Sequence, residues 1–81
     1  MNPSLKLQPV SPGVCQVLTD AGQHVGNLKL IGGVWKFKAI GHDNTGQVIP
    51  GGGLLTEKHN IVFAVLEKDE INRVLSINNP S

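Results

Sequence analysis

The chain is short of most of what a secreted, membrane-bound or catalytic protein needs. It has one cysteine, Cys15, in 81 residues, so no disulfide can form within it. Domains this small rely on disulfides when secreted, which points to a reducing, cytoplasmic setting. Tyrosine is absent, and one tryptophan and two phenylalanines are the whole aromatic content. Once a core is built, few are left to stack nucleobases. Charge of one sign is missing too: seven Lys and Arg against six Asp and Glu give +1 with histidine neutral. That balance argues against a nucleic-acid binder and leaves no polybasic patch for an anionic membrane. The longest apolar run, IVFAVL from Ile61 to Leu66, suits a buried strand and is far from the ~20 residues of a membrane span. The opening MNPSLKLQPVSPG carries no apolar stretch of signal-peptide type.

Catalytic and cofactor signatures are equally scarce. Neither GxxxxGK[ST] nor a GxGxxG in a βαβ unit occurs. His24, His42 and His59 stand apart, with no HxH, HxxxH or CxxC spacing, so no metal or other cofactor is expected. Cys15 lies inside the β-forming run VCQVLT, where a small thiol is ordinarily core rather than nucleophile. Glu67, Asp69 and Glu70 sit where a helix should start, which is dipole complementarity before it is acid–base chemistry. No catalytic residue is expected, and the chain reads as a non-enzyme.

What is present is a pattern of short strands, enough for a single domain over residues 1–81. Pro3, Pro9 and Pro12 make residues 1–12 an edge strand or a flexible arm. VCQVLT, QHVGNLKLI, VWKFKAIG and GQVIP then read as four antiparallel strands. Asp20-Ala21-Gly22, Gly32-Gly33 and GHDNTG are their turns. Period two places Trp35, Phe37 and Ala39 on a core face and Lys36 and Lys38 on a solvated face that blunts edge pairing. IVFAVL reads as a further strand, with Phe63 and Val65 in the core. Ile71, Val74 and Leu75 form one helical stripe, with Asp69 as cap or dipole partner. Residues 77–81 read as a frayed tail. The expected fold is mainly β (α+β), a small antiparallel sheet or half-barrel of about five strands with one C-terminal helix.

One segment stands out: IPGGGLLTEKHN, Ile49 to Asn60. Gly51, Gly52 and Gly53 lead toward Thr56, a candidate helix N-cap. Successive backbone amides ahead of a helix start can bind an anion. His59 and Asn60 are placed to join such a ligand site, or to pin the loop's free backbone groups. The favoured reading is structural: three glycines satisfy a chain that must turn sharply close to other backbone.

The same segment carries a resemblance. WKFKAIG (Trp35 to Gly41), PGGG (Pro50 to Gly53), Leu55-Thr56, His59-Asn60 and Phe63 resemble the shared pattern of a group of small bacterial proteins or domains of unknown function. Leu54 stands where that pattern commonly has proline. The resemblance covers about half of the chain. It implies a bacterial source and a cytoplasmic role, and it supplies no catalytic residues. TGQVIP, Thr45 to Pro50, is also similar to a strand of the swapped-hairpin DNA-binding transition regulators and antitoxins. There the match stops, because GGGLLTEKHN replaces their basic helix. The expected function is a non-enzymatic interaction module, acting through a protein partner or by self-association at strand edges. The alternatives are a small-ligand or anion-binding protein using the glycine loop, and a nucleic-acid-binding β-protein. The last depends on whether Lys36 and Lys38 lie beside other lysines.

Overall fold

Alternating apolar and polar residues can bury one face of a sheet and leave the other open. The computed structural model, which describes residues 5–75, builds such a sheet. Its elements are β1 (Lys6–Ser11), β2 (Val14–Leu18), β3 (His24–Ile31), β4 (Val34–His42), β5 (Val48–Pro50), a 3₁₀ turn (Thr56–Lys58), β6 (Val62–Phe63) and α1 (Lys68–Leu75). The first five strands form an antiparallel meander in the order β1-β2-β3-β4-β5, and β6 pairs with β4. The Gly32-Gly33 turn joins β3 to β4 with both residues at positive φ, 61° and 84°, and sets Ile31 opposite Val34. That register then places Leu28 opposite Phe37 and Lys29 opposite Lys36.

The core lies on the face of Phe37. Phe37, Leu28, Val17 and Cys15 are fully buried there, and Leu5, Val25, Ala39, Leu55 and Phe63 join them. Gly26 is part of this packing, because a Cβ at that position would run into the Phe37 ring. Helix α1 closes the same face with Ile71 and Leu75, and Val74 packs beside them. The helix starts on Glu67, whose carboxylate accepts the Glu70 N–H at 2.7 Å and whose carbonyl accepts the Ile71 N–H at 3.0 Å. Asn72 ties the helix to the start of β1: its Oδ1 accepts the Leu5 N–H at 2.6 Å and its Nδ2 donates to the Leu5 carbonyl at 3.2 Å.

Mainly antiparallel β structure with one C-terminal helix is therefore the fold, and residues from Lys6 onward form an edge strand as the prolines imply. Several local expectations are corrected. Strand β4 is not an edge, because it pairs with β3 on one side and with β5 and β6 on the other. Within IVFAVL only Val62 and Phe63 form strand, since their partners Lys36 and Trp35 lie next to the start of β4. Beyond them the chain leaves the sheet, and Val65 is 63% exposed rather than core. Trp35 is half-buried near the open hairpin end, opposite a 47% exposed Leu30, while Phe37 takes the centre. Thr56 is the first residue of a 3₁₀ turn and caps nothing; Leu55 precedes it without a side-chain cap. Capping of α1 falls to Glu67, with Asp69 left in the first turn. The tail expected at 77–81 lies outside the described residues.

Candidate functional site

The second edge of β4 explains the glycine segment. From Trp35 to His42 that edge needs hydrogen-bond partners, and no single strand supplies them. Strand β6 covers Trp35 and Lys36. The Phe37 N–H donates to the Ile61 carbonyl at 2.8 Å, and the Phe37 carbonyl accepts the Asn60 N–H at 2.7 Å. At Ala39 the backbone partner changes. Its N–H donates to Nδ1 of His59 at 3.1 Å, and its carbonyl accepts the Gly51 N–H at 2.7 Å. Strand β5 takes over from Ile40 to His42. An imidazole nitrogen thus stands in for the carbonyl of a missing strand residue. Because Nδ1 accepts, the neutral ring carries its proton on Nε2.

The rest of the segment holds that imidazole in place. The His59 ring lies across Gly51, within 3.5 Å of the point where a Cβ would stand. Thr56 donates its hydroxyl to the Gly51 carbonyl at 2.7 Å, and the Gly52 N–H donates to the Ile49 carbonyl at 3.2 Å. Gly53 sits at φ 88° hard against the Ile40 carbonyl, and a Cβ on Gly41 would come 2.7 Å from the Gly53 nitrogen. Two backbones meet there with no room for side chains. Asn60 takes φ 75°, and its Oδ1 accepts the Lys38 ammonium at 2.7 Å. All six candidate residues, Gly51, Gly52, Gly53, Thr56, His59 and Asn60, are therefore brought together. They form a clasp on β4 in which the amides of Gly51 and Gly52 have internal acceptors.

The other polar groups are scattered. His24 and His42 line an open cleft of about 320 Å³ with Gln23, Gly41 and Gly53, and His59 is not in it. His24 Nε2 lies 2.9 Å from Asn27 Oδ1. Among the described residues no group of three or more His, Cys, Asp or Glu is placed to hold a metal. Burial raises the Cys15 pKa, which suppresses the thiolate.

Lys36 and Lys38 lie on the face that the core leaves open, as period two implies, and the strand pairing adds neighbours that no single strand reveals. Three rows cross it. Gln8, Gln16, Asn27 and Lys38 lie side by side on β1 to β4. Val14, Lys29, Lys36 and Val62 form the next row, and Ile31 and Val34 the last. Among the described residues no strand carries an aspartate or glutamate. All three aromatic residues, Trp35, Phe37 and Phe63, belong to the opposite face. The signal was available: a two-residue Gly32-Gly33 turn fixes the pairing of Lys29 with Lys36 by counting back from the hairpin tip. With the geometry in hand, comparison with known proteins adds nothing: no family model, curated protein or solved structure matches the chain.

Proposed function

We propose that the chain is a non-enzymatic protein-interaction module that docks a partner on the open face of its sheet. The observation that carries this reading is the mixed character of that face. Lys29, Lys36 and Lys38 sit among Val14, Ile31, Val34 and Val62, and Ile31 and Val62 are 46% and 50% exposed. Basic groups interleaved with apolar side chains suit an acidic protein surface with apolar residues of its own. Strand edges contribute less. β1 contains Pro9 and a register shift beside it, and β5 is three residues long and ends in Pro50. Two further readings have less support. Lys29 beside Lys36 favours nucleic acid, yet among the described residues the face offers no aromatic and no arginine to stack on bases. Anion binding at Gly51 to Asn60 loses weight because the amides of Gly51 and Gly52 already have acceptors. The lone cysteine supports a cytoplasmic setting, and the PGGG…LT..HN resemblance supports a bacterial source.

Light scattering after size exclusion, together with pull-downs using wild type and Lys36→Glu, tests this reading. Association or capture should depend on Lys36 and survive the control Lys58→Glu in the 3₁₀ turn. A strict monomer that captures nothing, or capture indifferent to Lys36, would remove the proposal.

A further inference from the structure

The open face and the helix entrance of this chain are complementary to each other. Residues 64–70, AVLEKDE, carry three of the six acidic residues, Glu67, Asp69 and Glu70. The same stretch exposes Val65 at 63% and Leu66 at 38%. It is an acidic segment with an apolar lead-in. The open face is a basic patch with an apolar border. Within one chain the two are kept apart, because α1 packs on the Phe37 face through Ile71 and Leu75 while the lysines lie on the other.

Among the described residues Lys29, Lys36 and Lys38 have no acidic partner, and the ion pair seen there joins Glu70 to Arg73 on the exposed side of α1. Lys38 donates to the neutral Asn60 side chain. Lys29 and Lys36 stand directly opposite on neighbouring strands, and like charges in that position destabilise a sheet.

We infer that the open face binds residues 64–70 of a second copy of the same chain. This deepens the interaction reading above and rests on it. Asp69 of one copy lies against Lys29 and Lys36 of the other, and Val65 and Leu66 cover Val62 and Val34. Two such contacts related by a two-fold axis close a dimer; one repeated head to tail builds an open chain.

Charge exchange between two variants tests this directly. Sedimentation velocity is run on wild type, Lys36→Glu and Asp69→Lys across a concentration series reaching millimolar. A parallel series at raised salt probes screening. Both positions are exposed or half-buried, and far-UV circular dichroism verifies that each variant folds. Wild type should sediment above its monomer mass of 8.6 kDa at high concentration and return toward it in salt. Each variant alone should associate at least ~10-fold more weakly. Mixed in equal amounts, the two should associate again. The carboxylate introduced at position 36 of one variant then meets the ammonium introduced at position 69 of the other, and the wild-type contact forms between the remaining halves. A wild type that stays monomeric overturns the inference, even if its open face captures a different acidic protein. So does association that persists in both single variants, or a mixture that stays as weak as its components.

Discussion

Removing the His59 imidazole should leave the Ala39 N–H without an acceptor in a part-buried site. A donor stranded in this way costs about 1–3 kcal/mol. The loss of ring packing across Gly51 adds to it, so His59→Ala is expected to lose about 2–3 kcal/mol. In a domain of this size ~1 kcal/mol moves the thermal midpoint by about 4–8 °C. His59→Ala should therefore melt at least ~8 °C below wild type. Asparagine offers a sharper comparison, because its Oδ1 is attached at the same branch point as the histidine Nδ1. His59→Asn keeps an acceptor for Ala39 and should recover about half of the loss, ~1 kcal/mol. The exposed His42 supplies the control, and His42→Ala should stay within ~0.5 kcal/mol of wild type. Urea melts give the energies, and hydrogen exchange at the Ala39 amide gives the location. If His59→Ala melts like His42→Ala, or the Ala39 amide stays equally protected, the side-chain bond does not close β4.

Other outcomes follow from the same packing. Phe37→Ala empties the centre of the core and should cost about 3–5 kcal/mol in a urea melt; a loss under ~1 kcal/mol would place the core elsewhere. Gly53→Ala forces a Cβ against the Ile40 carbonyl at φ 88° and should destabilise more than Gly22→Ala, whose Cβ meets nothing. Equal melts would show that the backbones do not meet. The Asp43 pKa is lowered by the Thr45 hydroxyl and by the Gln47 and Thr45 amides. A depressed folded pKa contributes stability above the unfolded value of about 3.9 that is lost as pH falls through the folded one. The Thr45 and Gln47 amide signals should thus hold steady down to pH ~4 and move only below it. Phosphate titration should leave the signals of Gly51 to Asn60 in place, and shifts centred there would restore the anion-binding reading.

How much of this was readable from the sequence depended on whether the cause was local. Positive φ at Gly32 and Gly33, period two in β4 and the 71/74/75 stripe are local, and each was readable. Val65 was not, because a strand ends where its partner ends, and β4 begins just before Trp35. Trp35 and Phe37 share the core face that period two assigns them, but position along β4 decided their exposure, with Trp35 near the hairpin end and Phe37 at the centre. Thr56 had the right chemistry for a cap, yet its hydroxyl found the Gly51 carbonyl five residues back. His59 was singled out beside the glycines, and its bond to a β4 amide depended on a register no short window contains. The one-sided charge of the open face was hidden differently. A net charge of +1 conceals that the strands hold lysines and no acids, while turns and helix hold all the acids described.

A glycine clasp closes the sheet, and the proposed binding face lies apart from it. A dilution series followed by amide NMR examines both at once. Asn27, Lys29, Lys36 and Val65 to Glu70 should shift progressively with protein concentration, while Gly51 to Asn60 stay fixed. Shifts confined to the glycine segment, or none on the lysine face at millimolar protein, would contradict it.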